Sequence, residues 1–301
     1  MSEKIKLTFL GTSGAIPTET RNHTAILLAY GSENILVDCG EGTQRQFRKA
    51  KLNPCKLTRI LITHWHGDHV LGLPGLFQTL AFNDYKKELL IYGPKGTKNF
   101  INKIFETFVF VNNLKLKVFE VENGKIFENE DFLIESRRMV HNAPCNAYCF
   151  VRKGELRIDK NKLKKLKISE GPFLSDLKKG KSITFKNKKY YSKDLTFKED
   201  DFKISFVLDT KLNEKIIPFV NNSEILVCEA TFESGKESLA ETRFHLTAKQ
   251  AAEIAKKAKI KKLILTHISQ RYEKNSDDVL KQSIKIFKNT ELVDDLYEIV
   301  A

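Results

Sequence analysis

The segment His64-Trp65-His66-Gly67-Asp68-His69, set directly after the apolar run Ile60-Leu61-Ile62-Thr63, constrains this chain more than any other feature. The run reads as a buried strand, and three imidazoles and a carboxylate stand at its mouth. Imidazole nitrogen and carboxylate oxygen are the donors that a borderline cation such as Zn²⁺ takes. His64 and His66, as alternate residues, can reach one point from an extended or turning backbone. Asp68 and His69 lie one step further round the turn. That spacing suits two adjacent metal ions rather than one. A surface loop that is merely His-rich is the bland alternative, and so dense a cluster at a strand end argues against it.

The chain has seven histidines: His23, His64, His66, His69, His141, His245 and His267. His267 ends a second buried-strand run, Leu263-Ile264-Leu265-Thr266, just as His64 ends the first. His141 closes the strand-like run from Phe132 to Val140, and Asp209 follows Phe206-Val207-Leu208. Several strand ends thus each deliver one ligand-type residue, as expected when a site is built along one edge of a sheet. Taken singly, each reads as a satisfied core histidine or a turn aspartate. Taken with the hexad, they read as its partners. Asp38 has two open readings, support for a ligand from behind or a turn-forming residue. Trp65 reads as packing beside the cluster.

A chain of 301 residues holds one large domain or two small ones. The opening segment, Met1-Ser2-Glu3-Lys4-Ile5-Lys6, lacks the apolar stretch of a secretory leader. No run approaches the ~20 apolar residues of a membrane-spanning helix, so no membrane partner is expected. Five scattered cysteines, Cys39, Cys55, Cys145, Cys149 and Cys228, lack knuckle spacing and read as reduced thiols of a cytoplasmic protein. Cys145 and Cys149 lie close enough to His141 in sequence to touch the site.

The net charge of +13 is local: 15 Lys/Arg against 4 Asp/Glu between Arg152 and Lys193 leave only +2 for the rest of the chain. So concentrated a basic segment reads as a polyanion-binding surface, against the alternative of a solvated lysine-rich loop.

Alternating apolar residues and glycine-bearing breaks predict strands at Ile5–Phe9, Thr24–Tyr30 and Asn34–Val37, then a helix near Thr43–Ala50. Next come a helical pattern from Val70 to Phe82 despite Pro74, a strand at Leu89–Tyr92, a helix at Thr97–Thr107 and a strand at Lys115–Val121. Strand and helix alternate again from Phe202: strands at Phe202–Leu208, Glu224–Cys228 and Lys261–Thr266, helices at Lys211–Val220, Thr247–Lys259 and Ser276–Phe287, and a closing strand at Leu296–Val300. The alternation predicts a layered α/β architecture. One domain, 1–301, is read, interrupted by an inserted basic arm at 152–193. With little to bury, the arm is expected to be a short helical projection, helical from Leu156 to Lys167 and broken at Gly171-Pro172-Phe173.

The His-x-His-x-Asp-His cluster with His141, Asp209 and His267 resembles the ligand set of the metallo-β-lactamase superfamily, an αββα sandwich. Within it the chain resembles the ribonuclease Z family, endonucleases that trim the 3′ trailer from precursor tRNA. The residues that carry this are Phe9-Leu10-Gly11-Thr12-Ser13-Gly14-Ala15-Ile16-Pro17-Thr18, Val37-Asp38-Cys39-Gly40-Glu41-Gly42-Thr43-Gln44, Glu229-Ala230-Thr231-Phe232 and Thr266-His267-Ile268-Ser269-Gln270-Arg271-Tyr272, with Gly171-Pro172 resembling the family's flexible arm. The chain departs from the family at Phe244-His245-Leu246-Thr247, where Gly-His-Ser-Thr is usual, and at Val207-Leu208-Asp209-Thr210, where Ser-Gly-Asp-Thr is.

The resemblance implies two Zn²⁺ per subunit, His64, His66 and His141 on one, Asp68, His69 and His267 on the other, and Asp209 bridging. It also implies a homodimer in which the arm of one subunit serves the other's site. On this reading Asp68 orients the attacking water and accepts its proton, and His245 protonates the leaving 3′-oxygen or grips the phosphate. A helix-capping role is the plainer alternative for His245. Two rival functions follow from the same residues: a hydrolase of small phosphodiesters, thioesters or lactones, which would not need the basic arm, and a non-catalytic RNA-binding protein, which would not need the ligands.

Overall fold

Which face of each strand is buried decides the layering. In the first strands Ile5, Leu7, Phe9, Ile26 and Leu28 join one core cluster while Leu10, Ala25 and Leu27 join another. Farther along, Ile225 and Val227 point into the shared central core, whereas Leu226 and Cys228 point outward against helices. Both faces of these strands are therefore buried, which suits runs that are apolar throughout.

The computed structural model describes residues 3–109 and 113–301; Met1 and Ser2 of the opening segment lie outside these. Strands β1 (Ile5–Gly11), β2 (Ala25–Tyr30), β3 (Glu33–Val37), β4 (Arg59–Leu61), β5 (Glu88–Gly93) and β6 (Lys115–Glu120) lie side by side in chain order. Pairing is antiparallel from β1 to β3 and parallel from β3 to β6. The chain then crosses to a second sheet through β7 (Gly124–Glu128), β8 (Phe132–Arg138) and β9 (Asn146–Arg152). An inserted segment carries β10 (Leu156–Ile158), β11 (Ile183–Phe185), β12 (Lys188–Tyr190) and β13 (Thr196–Lys198). The second sheet resumes with β14 (Phe202–Val207), β15 (Ile225–Glu229), β16 (Lys262–Thr266) and β17 (Thr290–Leu292), in the order β17-β16-β15-β14-β9-β8-β7. Last, β18 (Glu298–Val300) returns to the first sheet beside β1. The two seven-stranded sheets face each other across the central core, with helices on both outer faces. The result is an αββα sandwich.

Strand direction places the site. The strands β3, β4, β8, β14, β15 and β16 all end at one edge, because β9 runs against both β8 and β14. The two sheets are tied at that edge: Asn146 N–H donates to Thr63 O (2.9 Å) and the Tyr148 hydroxyl to Ile62 O (2.8 Å). It follows that β9 ends, and β14 begins, at the opposite edge. The basic insertion is rooted there.

Three expectations need correction. The Val70–Phe82 helix is two helices, Gly67–Val70 and Leu73–Phe82. Pro74 sits in the first turn of the second, where its missing N–H has no partner to lose. The Lys211–Val220 helix covers only Ile216–Val220, since Lys211 N–H is taken by Val140 O and Lys215 N–H by the Asn213 side chain. The insertion is also no bare helix. Of Leu156–Lys167, Leu156–Ile158 is a strand paired with β13 and Lys160–Lys165 is a helix capped by Asp159; Leu174–Lys178 and Ser192–Leu195 form two further short helices. Its Leu163, Ile168, Leu174, Leu177, Ile183 and Leu195 close on one another as a small core. Their irregular spacing hid that packing from a periodicity argument.

Candidate metal centre

Each side chain of the site stands just beyond a strand end. His64 and His66 follow β4, His141 follows β8, Asp209 follows β14 and His267 follows β16. Asp68 and His69 lie on the short helix after the hexad's turn. Asp38 (φ +58°), Asp209 (+36°) and His267 (+56°) take left-handed backbone that non-glycine residues seldom adopt. Strain of this kind gathers where surrounding structure forces a side chain into place.

Three groups result, and Asp209 belongs to two of them; the third, Glu229, His245 and His267, adjoins the second through His267. The first is His64, His66, His141 and Asp209; the second is Asp68, His69, His267 and Asp209, with donor atoms in each lying within 4.8 Å of one another. In the first, His66 Nδ1 stands 3.0 Å from His64 Nε2 and 3.1 Å from His141 Nε2. Asp209 Oδ2 lies 3.6 Å from His64 Nε2 and 4.0 Å from His141 Nε2. In the second, His69 Nε2 and His267 Nε2 are 3.2 Å apart, each 3.4 Å from Asp68 Oδ2. Asp209 Oδ1 is 3.4 Å from His69 Nε2 and 3.0 Å from His267 Nε2.

These spacings fit a cation in each of these two groups. Two nitrogens bound tetrahedrally at ~2.0–2.1 Å stand roughly 3.3 Å apart. The chemistry of the donors agrees. Asp209 Oδ1 is buried without a hydrogen-bond donor, and a buried carboxylate oxygen ordinarily has a partner. Asp38 Oδ2 accepts from His69 Nδ1 (2.6 Å), and Phe244 O accepts from His141 Nδ1 (3.1 Å). Both Nε2 lone pairs are thereby turned to the site.

Two threonines do the same through relays. The Thr63 hydroxyl donates to Asp38 Oδ2 (2.7 Å), so its oxygen accepts from His64 Nδ1 (3.1 Å). The Thr231 hydroxyl donates to Glu229 Oε2 (2.5 Å), so its oxygen accepts from His267 Nδ1 (2.8 Å). Glu229 Oε1 also accepts from Thr210 N–H (2.7 Å), which helps hold the turn after Asp209.

Electrostatics point the same way. Burial, reinforced by the charge of His69, pulls His64 well below the ordinary histidine range, and burial lowers His141. Burial opposes protonation of His69, yet the carboxylates of Asp209, Asp38 and Asp68 outweigh it and raise that imidazole. Burial would raise Asp209, but His267, His69 and His245 hold it well below the carboxylate range. Buried carboxylates among crowded ring nitrogens are a setting in which cations replace protons.

All seven residues expected to bind metal are brought together at this edge. His245 stands beside them, its ring 5.5 Å from that of His267, with Nδ1 3.0 Å from Glu229 Oε2. It is not the helix cap: Thr247 and Gln250 cap the Ala248–Lys257 helix reciprocally. Asp38 takes the supporting role. Trp65 turns away to stack on Phe100 and donates to Thr97 Oγ1 (2.9 Å). Cys145 is a buried thiol 3.3 Å from Asp209 O, and Cys149 lies against Ser205; neither joins any of the groups. His23 is buried with Nε2 3.3 Å from Ala15 O, outside all three groups. The sequence reading gave Thr63, Glu229 and Thr231 no role at the site, although Glu229 and Thr231 stand in one of the motifs it quoted and Glu229, like Asp209, is an ionisable residue at the end of an apolar strand.

A ribonuclease Z from Methanothermobacter thermautotrophicus is 38% identical over 293 residues, spanning 97% of this chain and 95% of that one. The chain belongs to the ribonuclease Z family. Human tRNase Z, short form, is similar in structure to this family member, with a TM-score of 0.72 at 26% identity and 98% of both chains covered. YhfI from Bacillus subtilis, a metallo-β-lactamase fold protein, shares the fold, with a TM-score of 0.73, 17% identity and both chains fully covered. A family model described as anti-Pycsar protein Apyc1 matches residues 5–152, the part of this ribonuclease Z relative that holds the hexad and His141.

Proposed function

We propose that this protein is the endoribonuclease that removes the 3′ trailer from precursor tRNA, with His64, His66, His141 and Asp209 holding one Zn²⁺ and Asp68, His69, His267 and Asp209 the other. The observation that carries it is a shared buried aspartate between two donor groups in a chain that matches a ribonuclease Z over 97% of its residues. Two divalent cations, when bound, lower the pKa of a water towards ~7 and offset the charge of the attacked phosphate. Asp68 keeps Oδ2 beside His69 and His267, which leaves Oδ1 to orient the water and take up its proton. His245, fixed through Nδ1 on Glu229, has Nε2 to give a proton to the 3′-oxygen as it leaves. The phosphorus–oxygen bond to water forms, the bond to the 3′-oxygen breaks, and the trailer departs with a 5′-phosphate.

The basic insertion is the RNA grip in this reading. Cations bind phosphates without reading bases, and A-form RNA is recognised by shape. Its root supports a homodimer in which each arm serves the partner's centre. Strand β9 carries the chain about 20 Å away from the metal edge before the arm begins. The five free cysteines suit a reducing compartment such as the cytoplasm. No helix among the described residues is long and apolar enough to cross a membrane.

The test is a 3′-extended precursor tRNA with wild type and Asp68→Ala. Loss of general base action costs about 10²–10⁴-fold, so the variant should cut at least ~100-fold more slowly while retaining tRNA on a filter. A variant cutting at the wild-type rate would remove Asp68 from the mechanism; a wild-type protein inert on the precursor would remove the function.

A further inference from the structure

A cavity of about 540 Å³ opens where β3, β4 and β5 begin, at the edge opposite the donor groups, and the chemistry above leaves it unused. Leu27, Ala29 and Leu52 make it apolar on one side, and Lys51, Lys56 and Lys87 line it as well. A second cavity, of about 350 Å³, adjoins it, sharing Lys51, Leu52 and Asn53 and adding Arg48. No aspartate or glutamate lines either one. None of these four cationic side chains has an ion-pair or hydrogen-bond partner among the described residues, whereas Lys86, next to Lys87, is paired with Asp84.

Sequence and backbone both concentrate charge here. From Gly42 to Gly67 the chain carries six Lys/Arg and no Asp/Glu, although outside the arm it is nearly neutral. Lys51 has φ +56°, in the left-handed position just past the Thr43–Lys49 helix, where Leu52 N–H returns to Phe47 O (2.9 Å). Glycine or asparagine is usual there, so this lysine is held at a conformational cost, and its side chain lines both cavities. Burial raises the Cys55 thiol while the charges of Arg48 and Lys87 both pull the other way, so the two cations converge on one small region. Helix polarity accounts for Arg48, in the last turn of its helix. It does not account for Lys56 and Lys87, which precede β4 and β5.

Size and lining define the occupant. Ligand pockets run to about 300–1,000 Å³, with apolar walls and a few placed polar groups. One phosphate monoester carries about −1.5 to −2 charges at neutral pH, so four unpaired cations match more than one phosphate. The apolar side, flanked by the neutral hydrogen-bonding groups of Ser32 and Asn53, suits a ring system attached to that charge. An RNA duplex would meet the cations and leave the apolar side empty.

We infer that this cavity binds a small organic polyphosphate of the nucleoside di- or triphosphate class, with its ring system against Ala29 and Leu52 and its phosphates among Lys51, Lys56, Lys87 and Arg48. The inference stands apart from the cleavage reaction, because the length of β3, roughly 16 Å, separates the cavity from the donor groups.

Titration calorimetry on the full, metal-loaded chain tests it, with ATP, ADP and adenosine as the probes. ATP and ADP should bind more tightly than ~1 mM, and adenosine at least ~10-fold more weakly than ATP. A hydrogen bond to a charged group is worth about tenfold or more. Lys51→Asn, which keeps a residue suited to the left-handed position, and Lys87→Gln should each weaken ATP by about that factor and leave precursor tRNA cleavage within about twofold of wild type. No ATP binding, or adenosine bound as tightly as ATP, would overturn the site. So would ATP held at wild-type strength by both variants, since it would then sit elsewhere on the protein. A loss of precursor tRNA on filters as large as the loss of ATP in Lys51→Asn would make the patch an RNA contact and overturn the small-ligand site.

Discussion

At the scale of single residues, the site depends on which nitrogen of each histidine carries the proton. Thr63 and Thr231 settle this for His64 and His267 in parallel fashion, each donating its hydroxyl hydrogen to a buried carboxylate and accepting from an Nδ1–H. Partners behind a metal ligand are worth about 10–100-fold in metal affinity. Thr231→Val keeps the shape and removes the hydroxyl, so the second cation should bind at least ~10-fold more weakly in competition with a chelator. Unchanged affinity would show that His267 is oriented by packing alone. The convergence of these donors was legible in the sequence because histidine is scarce here, because four of them share the hexad, and because His64, Asp209 and His267 each follow an apolar run. The threonines were not. Threonine is common in strands for its β-branched shape, so Thr63 and Thr231 look like ordinary strand residues until their hydroxyl partners are known.

At the scale of elements, position depends on close backbone approach. The turn between the helices Gly67–Val70 and Leu73–Phe82 passes so near the loop after β3 that a Cβ on Gly72 would lie 2.1 Å from Gly40 O. Gly72 N–H also donates to Cys39 O (2.9 Å), which fixes the hexad's helix against the loop holding Asp38. Its backbone is ordinary right-handed helix, so the demand is for space and not for φ. Gly72→Ala should therefore lower stability by about 1–3 kcal/mol, the usual cost of overpacking, read as a lower urea midpoint. An unshifted midpoint would mean that the two loops separate freely. Periodicity located this stretch but merged its two helices, because Leu71, Leu73, Leu76 and Phe77 continue one pattern through a turn set by Gly72 and Pro74. The shortened Ile216–Val220 helix has a similar origin: hydrogen bonds to Val140 and Asn213 displaced a propensity that was real but weak.

At the scale of the whole molecule, the layered architecture and the convergence of both halves on one site followed from strand–helix alternation and from where the ionisable residues stand. The placement of the arm did not. Strand β9, Asn146-Ala147-Tyr148-Cys149-Phe150-Val151-Arg152, is buried on both faces and so shows no period-two pattern. Without it, the edge from which the arm projects could not be derived. That edge, opposite the donor groups of the site, yields a mixing experiment. Chains bearing Asp209→Asn, with the arm intact, would be combined with chains whose Lys160, Lys162, Lys164 and Lys165 are changed to Gln. If each arm serves its partner, the mixture should recover tRNA cleavage that neither variant shows alone. Activity no greater than the sum of the separate variants would place the arm beside its own centre.

The most direct test of the account is the chemistry of the two ends made on a 3′-extended precursor tRNA. Attack by a water that Asp68 would orient and deprotonate, with departure of the 3′-oxygen, must leave a 3′-hydroxyl on the tRNA body and a 5′-phosphate on the trailer. A 2′,3′-cyclic phosphate on the body with a 5′-hydroxyl on the trailer would mean that the RNA's own 2′-oxygen is the nucleophile, and the site as described would not be the one doing the cutting.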